Sequence, residues 1–201
     1  MEAKDQLIMS IDLMQSLLFI YCMILWVFLQ AAAALAYAFL SLYLWLNYKQ
    51  FYYAKLSKHY VLRGLLRQAS AFPLAIFAFA AASKHFALSY VVLSYGLILF
   101  GAFSVYELCR VLDPRAHPSL GTPVQFFGFR RVFEMASIGL ALSAMGAISL
   151  NLGWFLLPFE ITVLLTLVVL FFRLDKFHLP ELAVRLSLFV HGWSGAIHNI
   201  F

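Results

Sequence analysis

"FLLPFEITVLLTLVVLFF", residues 155–172, contains a single ionisable side chain, Glu160. A helix needs about 20 mostly apolar residues to cross the hydrocarbon core of a bilayer. A run of this length and composition reads as a membrane-spanning helix, and it names the solvent in which the rest of the chain must fold.

Composition agrees. The chain has 201 residues, of which 64% are hydrophobic and 11% charged. A soluble domain carries about 25% charged residues, so there is too little polar surface here to cover a water-soluble globule. The expected fold class is an all-α, polytopic transmembrane helical bundle, a single integral membrane domain over residues 1–201. The start, "MEAKDQLIMS", has no basic region ahead of a cleavage site, so the first apolar stretch is expected to be retained. The net charge of +5 is too modest to indicate nucleic-acid binding. Cys22 and Cys109 fall in or at the ends of apolar runs, without a CxxC or disulfide pattern, and read as small hydrophobes.

Candidate spans fall at residues 11–29, 31–47, 70–84, 86–109, 132–150, 155–172 and 181–201. Residues 11–46 run without Gly, Pro or Lys, which fits either two spans or one long helix. Pro73 makes 70–84 a short or re-entrant element. The expectation is therefore about six spans, within a range of five to seven. "LDPRAHPSLGTP", 112–123, is a loop by its three prolines and one glycine, and "NLGW", 151–154, is a turn. "RLDKFHLP", 173–180, ends in Pro180, suited to the first turn of the last helix.

Charge supplies the orientation. Apart from Lys4 and Lys84, all of the 14 basic residues lie on alternate connections: 48–69, 110–131 and 173–185. The positive-inside rule places those connections on one side and 151–154 on the other. Within 48–69, "YKQFYYAKLSKHY" is basic and aromatic. With Lys49, Lys55, Lys58, Arg63 and Arg67 this segment is expected to lie at the interface, against anionic lipid or a partner. Trp154 and Phe155 suit the opposite interface.

Ionisable groups at membrane depth are functional candidates by default. Most read here as structural. Glu107 stands three residues before Arg110, and Glu134 stands four after Arg130, spacings that pair charges on one helix face. Glu160 reads as an early-turn carboxylate at the positive end of a helix. The last residues, "FVHGWSGAIHNIF", 189–201, differ. His191 and His198, seven apart, share one helix face with Ser194 and Gly195, and Gly192 and Gly195 allow close approach of a neighbour or cofactor. No catalytic residue and no metal site is expected. Ser194 sits in a Gly-x-Ser-Gly segment similar to that of rhomboid proteases, but no base is expected to activate it.

"HGWSGAIH", His191 to His198, resembles the His-x-Trp-x-Gly-x-x-His helix of the cytochrome b large anchor subunit of succinate dehydrogenase. "ASIGLALSAMG", Ala136 to Gly146, is read against an earlier helix of that family, and "PRAHPSLGTP" against the segment preceding it. The likeness covers residues 114–201, and the family's Ser-x-x-His-Arg quinone motif has no counterpart in "RRVFEMASIG". The resemblance implies His191, with His198 as the second candidate, as a ligand for haem b. It also implies a non-catalytic anchor or structural subunit in a respiratory complex of the bacterial or mitochondrial inner membrane, partnered by lipids and other membrane subunits. A small transporter or channel is the alternative expectation.

Overall fold

In a computed structural model, the chain is described at residues 16, 20, 31–49, 51, 60–83, 85, 88–110, 112, 122–173 and 176–197. It is an all-α membrane protein, with no strand among the described residues. The helices are α1 (Ala31–Tyr48), α2 (Tyr60–Gln68), α3 (Ala71–Ser83), α4 (Tyr90–Cys109), α5 (Pro123–Ser149), α6 (Gly153–Phe172) and α7 (His178–Ile197). Among the described residues, five apolar stretches are long enough to cross a membrane: α1, the run Val61–Ser83 through α2 and α3, α4, α5 and α6. α7 matches α6 at 20 residues but opens with Glu181 and Arg185, which pair with each other. The expected span over 11–29 lies outside the described residues apart from 16 and 20, which are helical.

The chain divides into two compact units, up to Leu88 and from Ser89 onward. In the first unit, α1 packs on α3 through small residues. Ala33 and Ala36 are buried on α1, and Ala71, Ala75 and Ala80 on α3. Tyr37 meets Phe77 edge-on at 5.4 Å, and the Tyr43 hydroxyl donates to the Leu66 carbonyl at 2.6 Å. α2 and α3 are nearly continuous. Only a turn at Ala69–Ser70 separates them, spanned by Ala69 N to Leu65 O and Leu74 N to Ser70 O. Pro73 lies in the first turn of α3, where its missing N–H removes no helical hydrogen bond.

The second unit is an antiparallel four-helix bundle. α4 packs on α5, α5 on α6, α6 on α7, and α7 closes the ring against α4. Its aliphatic core includes Val105, Val132, Leu140, Val163, Leu167 and Val184. Ile138, Met145, Leu165 and Phe172 face outward, as an apolar solvent permits. In this arrangement Arg110, Arg130, Arg131, Arg173 and Lys176 gather at one end of the bundle and Asn151–Trp154 at the other. That is the part of the expected segregation that falls within this unit; the 48–69 connection belongs to the first unit.

α5 begins earlier than the expected 132. Thr122 caps it: its hydroxyl accepts from Gln125 N at 3.3 Å while the Gln125 side chain accepts from Thr122 N at 3.1 Å, and Pro123 occupies the first turn. A kink at Gly128, with φ 74°, then redirects the helix. That backbone conformation favours glycine. Arg130 and Arg131 therefore belong to a helix, not to a connection. The turn after α5 is tight, as "NLGW" suggests, with Asn151 at φ 58°.

Packing of α4 on α5 is closer than aliphatic side chains allow. A Cβ at Gly101 would lie 2.4 Å from the Gly139 carbonyl oxygen and 2.7 Å from Ser143 N. One at Gly146 would lie 2.5 Å from the Ser94 carbonyl oxygen. Lipid supplies no hydrophobic drive between helices, so close backbone contact through small residues has to hold them. Gly192 on α7, one of the two glycines expected to admit such a neighbour, faces open space with nothing within 4 Å of its Cβ position. The small-residue seam runs instead through "GLALSAMG" of α5. Gly101→Ala must push two backbones apart and should destabilise the protein by about 1–3 kcal/mol. Gly192→Ala should leave stability unchanged or raise it by up to about 1 kcal/mol, since helix propensity favours Ala. Unfolding of both variants in mixed micelles separates the two cases.

Candidate functional site

The polar centre of the bundle joins α6 to α7. Glu160 stands seven residues into α6, about 10 Å along its axis at 1.5 Å per residue. His191 stands six residues before the end of α7, so the antiparallel packing brings the two to one level. His191 Nε2 lies 3.1 Å from Glu160 Oε1, and the side chains are 1% and 4% exposed. Glu160 is thus a buried partner in the helix interior and not, as expected, an early-turn carboxylate serving the helix dipole.

The other ring nitrogen fixes the hydrogen count. His191 Nδ1 is 2.6 Å from the Ser187 carbonyl oxygen and 3.3 Å from Ser187 Oγ. A carbonyl only accepts, so Nδ1 carries a hydrogen and donates it there. One further proton lies between Nε2 and Oε1. Placed on nitrogen it makes an imidazolium–carboxylate pair, and placed on oxygen a neutral imidazole and a carboxylic acid. In either placement the pair carries no net charge, which is the condition for burying it in an apolar bundle without a large penalty.

Ser187, His191 and Glu160 resemble a nucleophile, base and orienting acid in composition, but not in geometry. Nδ1 is the nitrogen near Ser187 Oγ, and it holds a hydrogen committed to a carbonyl. It therefore cannot take the proton of the hydroxyl while that bond stands. Ser194 is equally unsuited, since its Oγ donates to the His191 carbonyl at 2.7 Å. Beside the imidazole lies a small cavity, lined by Ser143 of α5, Ser187 and His191 of α7, and aliphatic side chains that include Val163 of α6. It leaves about 10 Å³ for the centre of a water-sized sphere, the space of one water molecule and not of a substrate. Among the described residues, no group of three or more His, Cys, Asp or Glu side chains could hold a metal ion.

A haem iron would need an imidazole nitrogen with a free lone pair. Both nitrogens of His191 are engaged, and the adjoining space is water-sized. The residues as arranged do not fit a haem, so the ligand role expected of His191 gives way to pairing with Glu160. His198, Lys55 and Lys58 lie outside the described residues. Gly195 lies in α7. Arg63 and Arg67 are exposed on α2, and Lys49 Nζ sits 5.2 Å from the Tyr48 ring centre. The two surface pairs read from sequence are also formed: Arg110 to Glu107 and Arg130 to Glu134, each at 3.1 Å.

No family model, curated protein or solved structure matches this chain.

Glu160→Leu leaves His191 Nε2 without its buried partner, and His191→Leu does the same to the carboxylate. Each should cost about 3–5 kcal/mol of stability. The double Leu variant removes the pair as a whole and should cost less than the more damaging single variant. A double-mutant cycle on unfolding in mixed micelles measures this, and additive losses would contradict an energetically coupled pair.

Proposed function

We propose that the chain is a non-catalytic integral membrane subunit, an anchor or structural element of a larger membrane assembly. The observation that carries this reading is the closed polar centre. Glu160 and His191 face each other, His191 Nδ1 is held by a backbone carbonyl, and the adjoining space takes one water. Such a centre ties helices together and leaves no room for a substrate. Two connections are also short in sequence: 150–152 between α5 and α6, and 173–177 between α6 and α7. The likeness of residues 191–198 to the succinate dehydrogenase anchor supports a respiratory assembly in a bacterial or mitochondrial inner membrane. Haem forms no part of the proposal, because His191 offers no free nitrogen. The partners are other membrane subunits and lipid, with anionic headgroups or an acidic partner surface facing Lys49, Arg63 and Arg67.

A second reading, a small transporter or channel, draws on one observation: an ionisable pair inside a bundle whose other core residues are mostly aliphatic.

Extraction from native membranes in two mild detergents, followed by particle mass measurement and mass spectrometry, separates these readings. The subunit reading expects a particle well above the chain's own 22.8 kDa, with the same other chains in fixed ratio in both detergents. A folded particle containing this chain alone would overturn it.

A further inference from the structure

Three buried oxygen atoms of the bundle are relevant to one question: what occupies the space beside the Glu160–His191 pair. Ser143 Oγ is 1% exposed as a residue and has no hydrogen-bond partner, and Ser143 lines the cavity. Ser187 Oγ lines it from the opposite helix and can only accept from Nδ1–H, which leaves its own hydrogen available. Glu160 Oε2 also lacks a partner. A buried cavity of this size, mostly aliphatic in its wall but bordered by Ser143, Ser187 and His191, is just large enough for one ordered water.

We propose that Glu160, His191, Ser187 and a single water held against Ser143 form an intramembrane proton-holding site. The proposal goes beyond a subunit role and does not depend on it. Its ligand is a proton. In the held state the pair carries one shared proton between Oε1 and Nε2, and Nδ1–H is anchored on the Ser187 carbonyl. Release runs through the ring. Nε2 takes the shared proton, Nδ1 gives its own to Ser187 Oγ, and the hydroxyl proton of Ser187 passes to the water. One proton moves to the water, from which it exchanges with bulk solvent, and it leaves behind a Glu160 carboxylate and a neutral ring; only N–H and O–H bonds change, and no electron is transferred. Uptake is the reverse.

The geometry favours the held state. After release, Nδ1 would face the Ser187 carbonyl at 2.6 Å lone pair to lone pair, so the ring must shift away from it. Occupancy of the site is thereby linked to the packing of α7.

Few other groups compete for the proton. On α4, the Tyr95 hydroxyl donates to the Gly192 carbonyl at 3.1 Å. On α5, Glu134 is paired with Arg130, and on α7, Glu181 is paired with Arg185. α6 carries no ionisable side chain besides Glu160. Glu107 and Arg110 pair at the far end of α4, near buried Cys109.

The test uses the full chain in phosphatidylcholine vesicles, with infrared difference spectra recorded as bulk pH is stepped and after transfer to deuterated buffer. The wild type should show a pH-dependent change in carboxyl or carboxylate bands that is lost in Glu160→Gln and displaced in pH in His191→Gln. The side-chain amide introduced by Glu160→Gln can donate to Nε2, so this variant keeps the interhelical bond. Ser143→Val fills the cavity, and it should retain the transition but slow its deuterium exchange. Histidine ¹⁵N spectra of the wild type give a readout independent of any variant: the His191 signal should change over the same pH interval as the carboxyl band. Superimposable wild-type and Glu160→Gln spectra would overturn the proton site, as would a His191 signal that ignores pH while the protein stays folded. Exchange at the wild-type rate in Ser143→Val would overturn the water's part in it.

Discussion

A bilayer interior offers no hydrogen bond to a polar group, so a polar group at that depth is stabilised by a partner inside the protein. Among the described residues the backbone answers with helices. The side chains answer at one place above all, where Glu160 of α6 meets His191 of α7. In water this contact would be worth little. Between aliphatic neighbours, either partner alone would be a buried polar group without compensation, and the two together are neutral. The pair therefore acts as a specificity device for the bundle. It sets the register of α6 on α7, and it does so at the level where the cavity and Ser143 approach from α5.

The same solvent explains the seam between α4 and α5. Leucine on leucine gains nothing over leucine on lipid, so these helices approach until backbone touches backbone. Gly101 against Gly139 and Ser143, and Gly146 against Ser94, provide that approach. The two contacts divide the work. The glycine seam fixes one side of the ring of helices, and the Glu–His pair with the Tyr95–Gly192 bond fixes the other. The water-sized cavity lies between them.

Much of the fold is legible in the sequence because it follows from hydropathy and charge alone. The run at 155–172 and the alternation of basic connections are enough to place α4 to α7 and to orient them antiparallel. The start of α5 is less obvious. Thr122-Pro123 followed by Gln125 is a capping signature, but it sits at the end of a loop whose prolines dominate the reading. The candidate site is half legible. His191 stands out by sharing a helix face with Ser194, Gly195 and His198, and its pattern resembles that of a haem ligand. Its real partner is hidden because nothing local to Glu160 points to α7. Depth matching supplies the missing signal: once α6 and α7 are antiparallel, a residue seven from the start of one lies level with a residue six from the end of the other. Gly192 misleads for a related reason. A helical glycine signals room for a neighbour, but the sequence does not say which face of α7 turns inward, and Ser194 and His191 take that face.

The central claim is a hydrogen bond between Glu160 and His191 inside the membrane bundle. Solid-state magnetic resonance on the chain in lipid bilayers, with ¹³C in the Glu side-chain carboxyl and ¹⁵N in the imidazole, reads it directly. The account predicts strong dipolar dephasing of a single Glu carboxyl by a single imidazole nitrogen, absent in Glu160→Gln, together with a protonated Nδ1 on the same ring. A fully labelled wild-type sample in which no Glu carboxyl is dephased by imidazole nitrogen would contradict it.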